Sequence, residues 1–132
     1  MGPKEKERMQ GKTILIVDDE ESVRRLVRRV LGDDYIVLEV ADGEEAVQIT
    51  QKSKPDLVLM DIMMPRKDGY AALSEIKTNP DTKSTPVAML SGIGFELNKK
   101  LADGFGVSGY ITKPFDSKEL LKTVGKFVKA SD

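Results

Sequence analysis

The stretch Pro55-Asp56-Leu57-Val58-Leu59-Met60-Asp61 sets four apolar residues between two carboxylates, with a proline at its entry. A strand with one wet face alternates apolar and polar residues, whereas a strand buried on both faces reads as an unbroken apolar run. The run is therefore placed in the middle of a parallel sheet. Similar short runs stand on either side: Thr13 to Asp18 and Tyr35 to Val40 before it, Pro86 to Ser91 and Val107 to Thr112 after it. Between them, apolar residues recur at helical spacing. Val23, Leu26, Val27, Val30 and Leu31 form one stripe that ends at Gly32, and Ala46, Val47 and Thr50 follow the Asp42-Gly43 turn. Ala72, Leu73 and Ile76 run up to Asn79-Pro80, and Leu120, Leu121, Val124, Phe127 and Val128 make the last stripe. A short helix around Phe95 to Asp103 is predicted among Gly92, Gly94, Gly104, Gly106 and Gly109, which add backbone entropy and no packing. Five strands alternating with five helices predict an α/β fold.

The chemistry gathers where three of the runs stop. The first ends at Asp18-Asp19, the central one at Asp61, and the last is followed by Lys113-Pro114. In open α/β sheets, ligands bind beyond the carboxyl ends of the strands, so these groups are expected at one rim. Carboxylates and an ammonium without imidazole or thiolate suit a hard cation and phosphoryl chemistry. A lone Asp-Asp after a strand more often begins a helix as a cap. Its company with Asp61 and Lys113 favours a site.

Composition removes whole classes of function. The 132 residues suit one domain, with 39% hydrophobic and 33% charged residues. Lys and Arg number 21 against 22 Asp and Glu, so no global field draws the chain to nucleic acid. The absence of Cys excludes disulfides and thiolate catalysis, and the absence of His excludes imidazole acid-base catalysis. The polar segment 1–11 reads as a flexible tail without a signal-peptide core, and no apolar run is long enough for a membrane helix. A cytoplasmic location is the expectation.

Taken together, Ile-Leu-Ile-Val-Asp18-Asp19-Glu20, Leu-Val-Leu-Met-Asp61-Ile-Met-Met-Pro65 with Asp68-Gly69, Ser91-Gly92 and Gly-Tyr110-Ile-Thr-Lys113-Pro114-Phe115 resemble the receiver domain of two-component response regulators. The resemblance runs from about Lys12 to Lys129. It implies a flavodoxin-like, doubly wound (βα)5 fold, with five parallel strands in the order 2-1-3-4-5 and helices on both faces. It also implies a receiver over residues 12–130 with no output domain. Asp61 would be the phospho-acceptor, receiving its phosphoryl group from a histidine kinase or His-phosphotransfer protein. Asp18, Asp19, Asp61 and the backbone carbonyl of Met63 would hold Mg²⁺, while Ser91 and Lys113 would contact the phosphoryl oxygens. Tyr110 would be the switch aromatic, and the bond to Pro114 would be cis. Such a protein is a switch that catalyses only its own aspartyl phosphorylation and dephosphorylation.

Output is expected through a protein partner at the face of the fourth helix, fifth strand and fifth helix, by a monomer or a phosphorylation-dependent dimer, without direct nucleic-acid contact or membrane insertion. Met63 and Ile93 occupy the two positions that often tune self-dephosphorylation; both are apolar, which predicts a slow reaction. Arg24, Arg25, Arg28 and Arg29 on the first helix fit either a solvated face or a kinase-docking surface. Two rival readings differ in class. An α/β phosphotransferase with an aspartyl nucleophile ordinarily carries Asp-x-Asp on its first strand, unlike the adjacent pair here. A phosphorylation-independent interaction module would not need Asp61, Ser91 and Lys113 together.

Overall fold

The computed structural model describes residues 12–92, 100 and 102–128. The predicted tail, Ile93, Lys129 and most of the helix predicted around Phe95 to Asp103 lie outside the described residues. Five parallel strands, β1 (Thr13–Val17), β2 (Ile36–Val40), β3 (Leu57–Asp61), β4 (Val87–Ser91) and β5 (Gly109–Thr112), form one sheet in the order β2-β1-β3-β4-β5. The helices are α1 (Glu21–Leu31), α2 (Gly43–Ser53), α3 (Gly69–Thr78), α4 (100 and 102–104 among the described residues) and α5 (Ser117–Phe127). A single 3-10 turn, Gly32–Asp34, joins α1 to β2, with Gly32 at φ +58, where a side chain would be strained.

Alternate residues of the central strands face opposite layers, which is why the apolar runs are unbroken. Ile14, Ile16, Leu57, Leu59, Ala88 and Leu90 pack with α1 and α5 through Val27, Leu31, Leu120 and Val124. Leu15, Val17, Val58, Met60, Val87 and Met89 pack on the other face with Ala46, Val47, Ala72, Leu73 and Ile76 of α2 and α3. All of β3 is buried. Truncating Leu59 there would cost roughly 2–5 kcal/mol, the usual range for a fully enclosed leucine.

Registry sets the rim. Val17 pairs with Met60, so Asp18 and Asp61 each lie one step beyond paired positions. Ser91 pairs with Thr112, which places Lys113 one residue further along β5. Asp42, Asp68 and Asp116 cap α2, α3 and α5 by accepting from the N–H groups of Glu45, Ala71 and Glu119; such caps are worth about 1 kcal/mol each. Glu20 at the start of α1 makes no side-chain cap bond. Among the described residues, no helix is long and apolar enough to cross a membrane.

Candidate functional site

Asp18 leaves β1 while its N–H still donates to Val40 O at 3.2 Å, and its side chain is fully buried. Its Oδ1 accepts from the Glu20 N–H at 2.9 Å, which fixes the carboxylate. Carboxylate oxygens of Asp18, Asp19 and Glu20 lie within 4.8 Å of one another. Glu20 was not singled out in the sequence, although the contiguous acidic triplet was the available signal. The sequence places Arg24 on the basic face of α1 and carries no sign of its contact with Asp18. Its Nη1 donates to the Asp18 carbonyl at 2.7 Å, and its Nε donates to Glu39 at 3.2 Å.

The Asp61 side chain, 12% exposed, ends the central strand. Its Oδ1 accepts from the Ile62 N–H at 2.9 Å and from Lys113 Nζ at 3.2 Å. Among the described residues, Oδ2 accepts no hydrogen bond. The Lys113 ammonium also donates to Asp18 Oδ2 at 2.7 Å, so one cation bridges two carboxylates from different strands.

The electrostatics are unbalanced. Burial, then the like charge of Asp18, pushes the Asp61 carboxyl above its ordinary range, and Lys113 and the Ile62 N–H offset only part of this. Burial pulls Lys113 down, but its bonds to Asp18 and Asp61 outweigh that and hold its ammonium above the ordinary range. The rise on Asp61 reports burial first and the nearby Asp18 carboxylate second, while the rise on Lys113 reports its two carboxylate partners.

Ser91 stands half-buried at the end of β4, and its carbonyl accepts from the Lys113 N–H at 2.6 Å. This ties the hydroxyl-bearing residue to the ammonium-bearing one. The Lys113–Pro114 peptide is cis. Met63 lies in the loop two residues past Asp61 and is a 67% exposed residue. Tyr110, half-buried on β5, donates its hydroxyl to Asp103 Oδ1 at 2.8 Å. Burial, then that bond and the charge of Asp103, raises its phenol. The structure thus brings Asp18, Asp61 and Lys113 into direct contact, with Asp19 at their edge and Ser91 joined through backbone; Tyr110 bonds outward to Asp103.

Residues 14–125 match the family described as the response regulator receiver domain. The chain belongs to the response regulator receiver family. Among curated relatives, the receiver is 38% identical over 121 residues to the chemotaxis protein CheY of Halobacterium salinarum, covering 91% of this chain and 99% of that one. It is also 36% identical over 125 residues to the probable transcriptional regulator ycf27 of Porphyridium aerugineum, covering 94% of this chain and 51% of the relative. The receiver therefore spans about half the length of the ycf27 relatives it matches and nearly all of the CheY relative.

Among solved structures, a putative response regulator from Chloroflexus aurantiacus superimposes with a TM-score of 0.82 at 36% identity, covering 88% of this receiver and 96% of that chain. The receiver domain of the sensor histidine kinase PA1611 from Pseudomonas aeruginosa, described with a magnesium ion coordinated in its active site cleft, gives a TM-score of 0.80 at 28% identity, covering 88% and 96%. These neighbours share the flavodoxin-like order 2-1-3-4-5. The chain is thus a receiver domain of two-component systems, a signalling module.

The receiver's own residues fit a hard dication. The donor set is made of carboxylate oxygens, the type Mg²⁺ prefers, and those of Asp18, Asp19 and Glu20 lie within 4.8 Å of one another. The arginines of α1 find partners closer to home. Arg24 and Arg28 both bind Glu39, and Arg25 binds Glu21. Burial pushes Glu39 up, and the two guanidiniums more than offset it. Three of the four side chains read as a basic surface therefore sit in intramolecular ion pairs.

Proposed function

We propose that the receiver accepts a phosphoryl group on Asp61 from a histidine kinase or His-phosphotransfer protein, in a Mg²⁺-dependent reaction, and signals the change to a protein partner. The observation that carries this reading is the Asp61 carboxylate. One oxygen is fixed by Ile62 N–H and Lys113 Nζ, and the other accepts nothing among the described residues. That leaves Oδ2 as the attacking atom. A bond forms between Oδ2 and phosphorus as the bond from phosphorus to the donor nitrogen breaks, and the departing imidazole keeps the electron pair.

Asp18, Asp19 and Asp61, with the Met63 carbonyl, would hold Mg²⁺, which supplies charge neutralisation for the incoming phosphoryl oxygens. Glu20 borders the same pocket. Lys113 is positioned to move its ammonium from the carboxylates to a phosphoryl oxygen, and the Ser91 hydroxyl to donate to another. Because the Ser91 carbonyl holds the Lys113 N–H, a pull on either is felt by both. Tyr110, two residues before Thr112 on the same strand, would exchange its bond to Asp103 for an inward position. That change would reshape the face of α4, β5 and α5 for a partner, a local charge event biasing a two-state element. The apolar Met63 leaves no side-chain group at its position to orient water, and a slow self-dephosphorylation follows.

Incubation with acetyl phosphate and Mg²⁺, followed by mass spectrometry, should add one phosphoryl group that maps to Asp61. Catalytic turnover of the donor without a stoichiometric adduct would instead favour a phosphotransferase or phosphatase.

A further inference from the structure

The loop that follows Asp61, residues 62–68, is braced from outside the phosphoryl pocket. Arg66 Nη2 stands 2.8 Å from Asp42 Oδ2, while Asp42 Oδ1 accepts from the Glu45 N–H at 2.9 Å and caps α2. One carboxylate thus serves a helix and a loop. The Asp42 side chain is only 3% exposed although that of Arg66 is 65% exposed, and a carboxylate so enclosed depends on its partners. Beside it, the Gly43 N–H donates to Lys67 O at 3.1 Å. A Cβ on Gly43 would stand 2.2 Å from that oxygen, so helix and loop touch backbone to backbone. On its other flank, Lys67 pairs with Glu75 of α3.

Arg66 itself sits at φ +68, a left-handed conformation that costs any residue other than glycine. A glycine would hold that backbone more easily but could not reach Asp42. The loop returns to its origin where the Gly69 N–H donates to Ile62 O at 2.7 Å, and Ile62 in turn donates to Asp61 Oδ1. Its outer end is therefore fixed by Asp42, and its inner end by the strand that carries Asp61.

We propose that Asp42 and Arg66 form a clamp that positions the β3–α3 loop for Mg²⁺ binding and phosphoryl transfer at Asp61. Both are positioning residues, acting through the loop that bears the Met63 carbonyl. The inference rests on the phospho-acceptor reading above.

Asp42→Asn tests the charge alone, because asparagine keeps an oxygen for the α2 cap. Arg66→Ala removes the guanidinium, and Arg66→Gly removes it while relaxing the backbone. Amide hydrogen exchange at Gly43 and Gly69 in metal-free protein is measured beside the Mg²⁺ dissociation constant and the rate of labelling by acetyl phosphate. All three variants should exchange faster at both amides and bind Mg²⁺ about two- to fivefold more weakly, the scale of a partly exposed ion pair. Asp42→Asn combined with Arg66→Ala should be no worse than either alone.

Unchanged exchange and affinity in the variants, with a wild type that binds Mg²⁺ and is labelled, would overturn the clamp and leave the phospho-acceptor reading standing. Wild-type behaviour in Arg66→Gly but not in Arg66→Ala would assign the effect to backbone strain and also overturn it. A wild type that neither binds Mg²⁺ nor is labelled would remove both inferences together.

Discussion

The carboxyl ends of β1 and β3 and those of β4 and β5 form one rim but are built differently. At the first, Asp18 and Asp61 are buried, and each carboxylate is fixed by a backbone N–H close in sequence and by one shared ammonium. At the second, Ser91 and Tyr110 are half-buried hydroxyl residues, and Tyr110 bonds outward to an exposed Asp103. One side holds its charge in a fixed geometry; the other sends the Lys113 ammonium across to it from the end of β5 and otherwise offers neutral groups that can change partners at small cost. Breaking a buried charge set costs several kcal/mol, whereas moving one neutral hydrogen bond costs about 1 kcal/mol. In the function proposed for Asp61, that difference would allow a phosphate at one side to be answered by motion at the other.

The contrast is most severely tested at Asp61. Asp61→Asn should abolish labelling by acetyl phosphate, a loss on the order of a thousandfold or more for a missing nucleophile. The same variant carries a pH signature. Asp61's folded carboxyl lies above its ordinary 3.8, so the native protein keeps a proton that the unfolded chain has released. Its contribution to stability is therefore lost as pH rises from the ordinary value through the raised one. The gap in melting temperature between Asp61→Asn and wild type should be small below pH 3.8 and widen with pH through the carboxylate range, in thermal melts without metal. Added Mg²⁺ should narrow it by stabilising only the wild-type native state.

Next in size is Lys113→Ala, which leaves Asp18 and Asp61 facing each other without their bridge. A loss of about 3 kcal/mol by urea denaturation is expected, together with a labelling rate lowered by roughly a hundredfold. Ser91→Ala, on the neutral side, should leave stability within about 1 kcal/mol and slow labelling by only about tenfold. The smallest effect belongs to Tyr110→Phe. It should keep labelling near wild type, shift stability by about 1 kcal/mol or less, and weaken only the phosphorylation-dependent binding of a partner in pull-down. A Tyr110→Phe protein with labelling as poor as Lys113→Ala would erase the division between the two halves of the rim.

The charged half was legible in the sequence because burial on both faces leaves an apolar run, and such a run stopping at a carboxylate marks where the strand leaves the core. The strand boundaries differ by a residue or two: Asp18, Tyr35, Asp56 and Pro86 lie just outside the strands, although Asp18, Asp56 and Pro86 still hydrogen-bond to a neighbouring strand. What the sequence hides are polar contacts between elements. Arg24 on Asp18 O, Arg66 on Asp42 and Tyr110 on Asp103 link elements whose spacing in the chain carries no periodic signal. The acidic pair at Asp18-Asp19 also looked like a cap, yet α1 begins without a side-chain cap bond. The triplet gathers its carboxylate oxygens within 4.8 Å of one another, and the helix starts without a side-chain cap.

Gly69 has a consequence for how such proteins diversify. A Cβ there would lie 2.1 Å from the Asp61 carbonyl oxygen, and its N–H already closes on Ile62 O. The intervening residues thus form a near-ring whose ends meet at a point that admits no side chain. Changing side chains inside that ring alters what surrounds the acceptor without moving strand or helix. With Asp61 as the proposed acceptor, a few substitutions there would rewrite the timing of the signal, while the machine that folds stays the same.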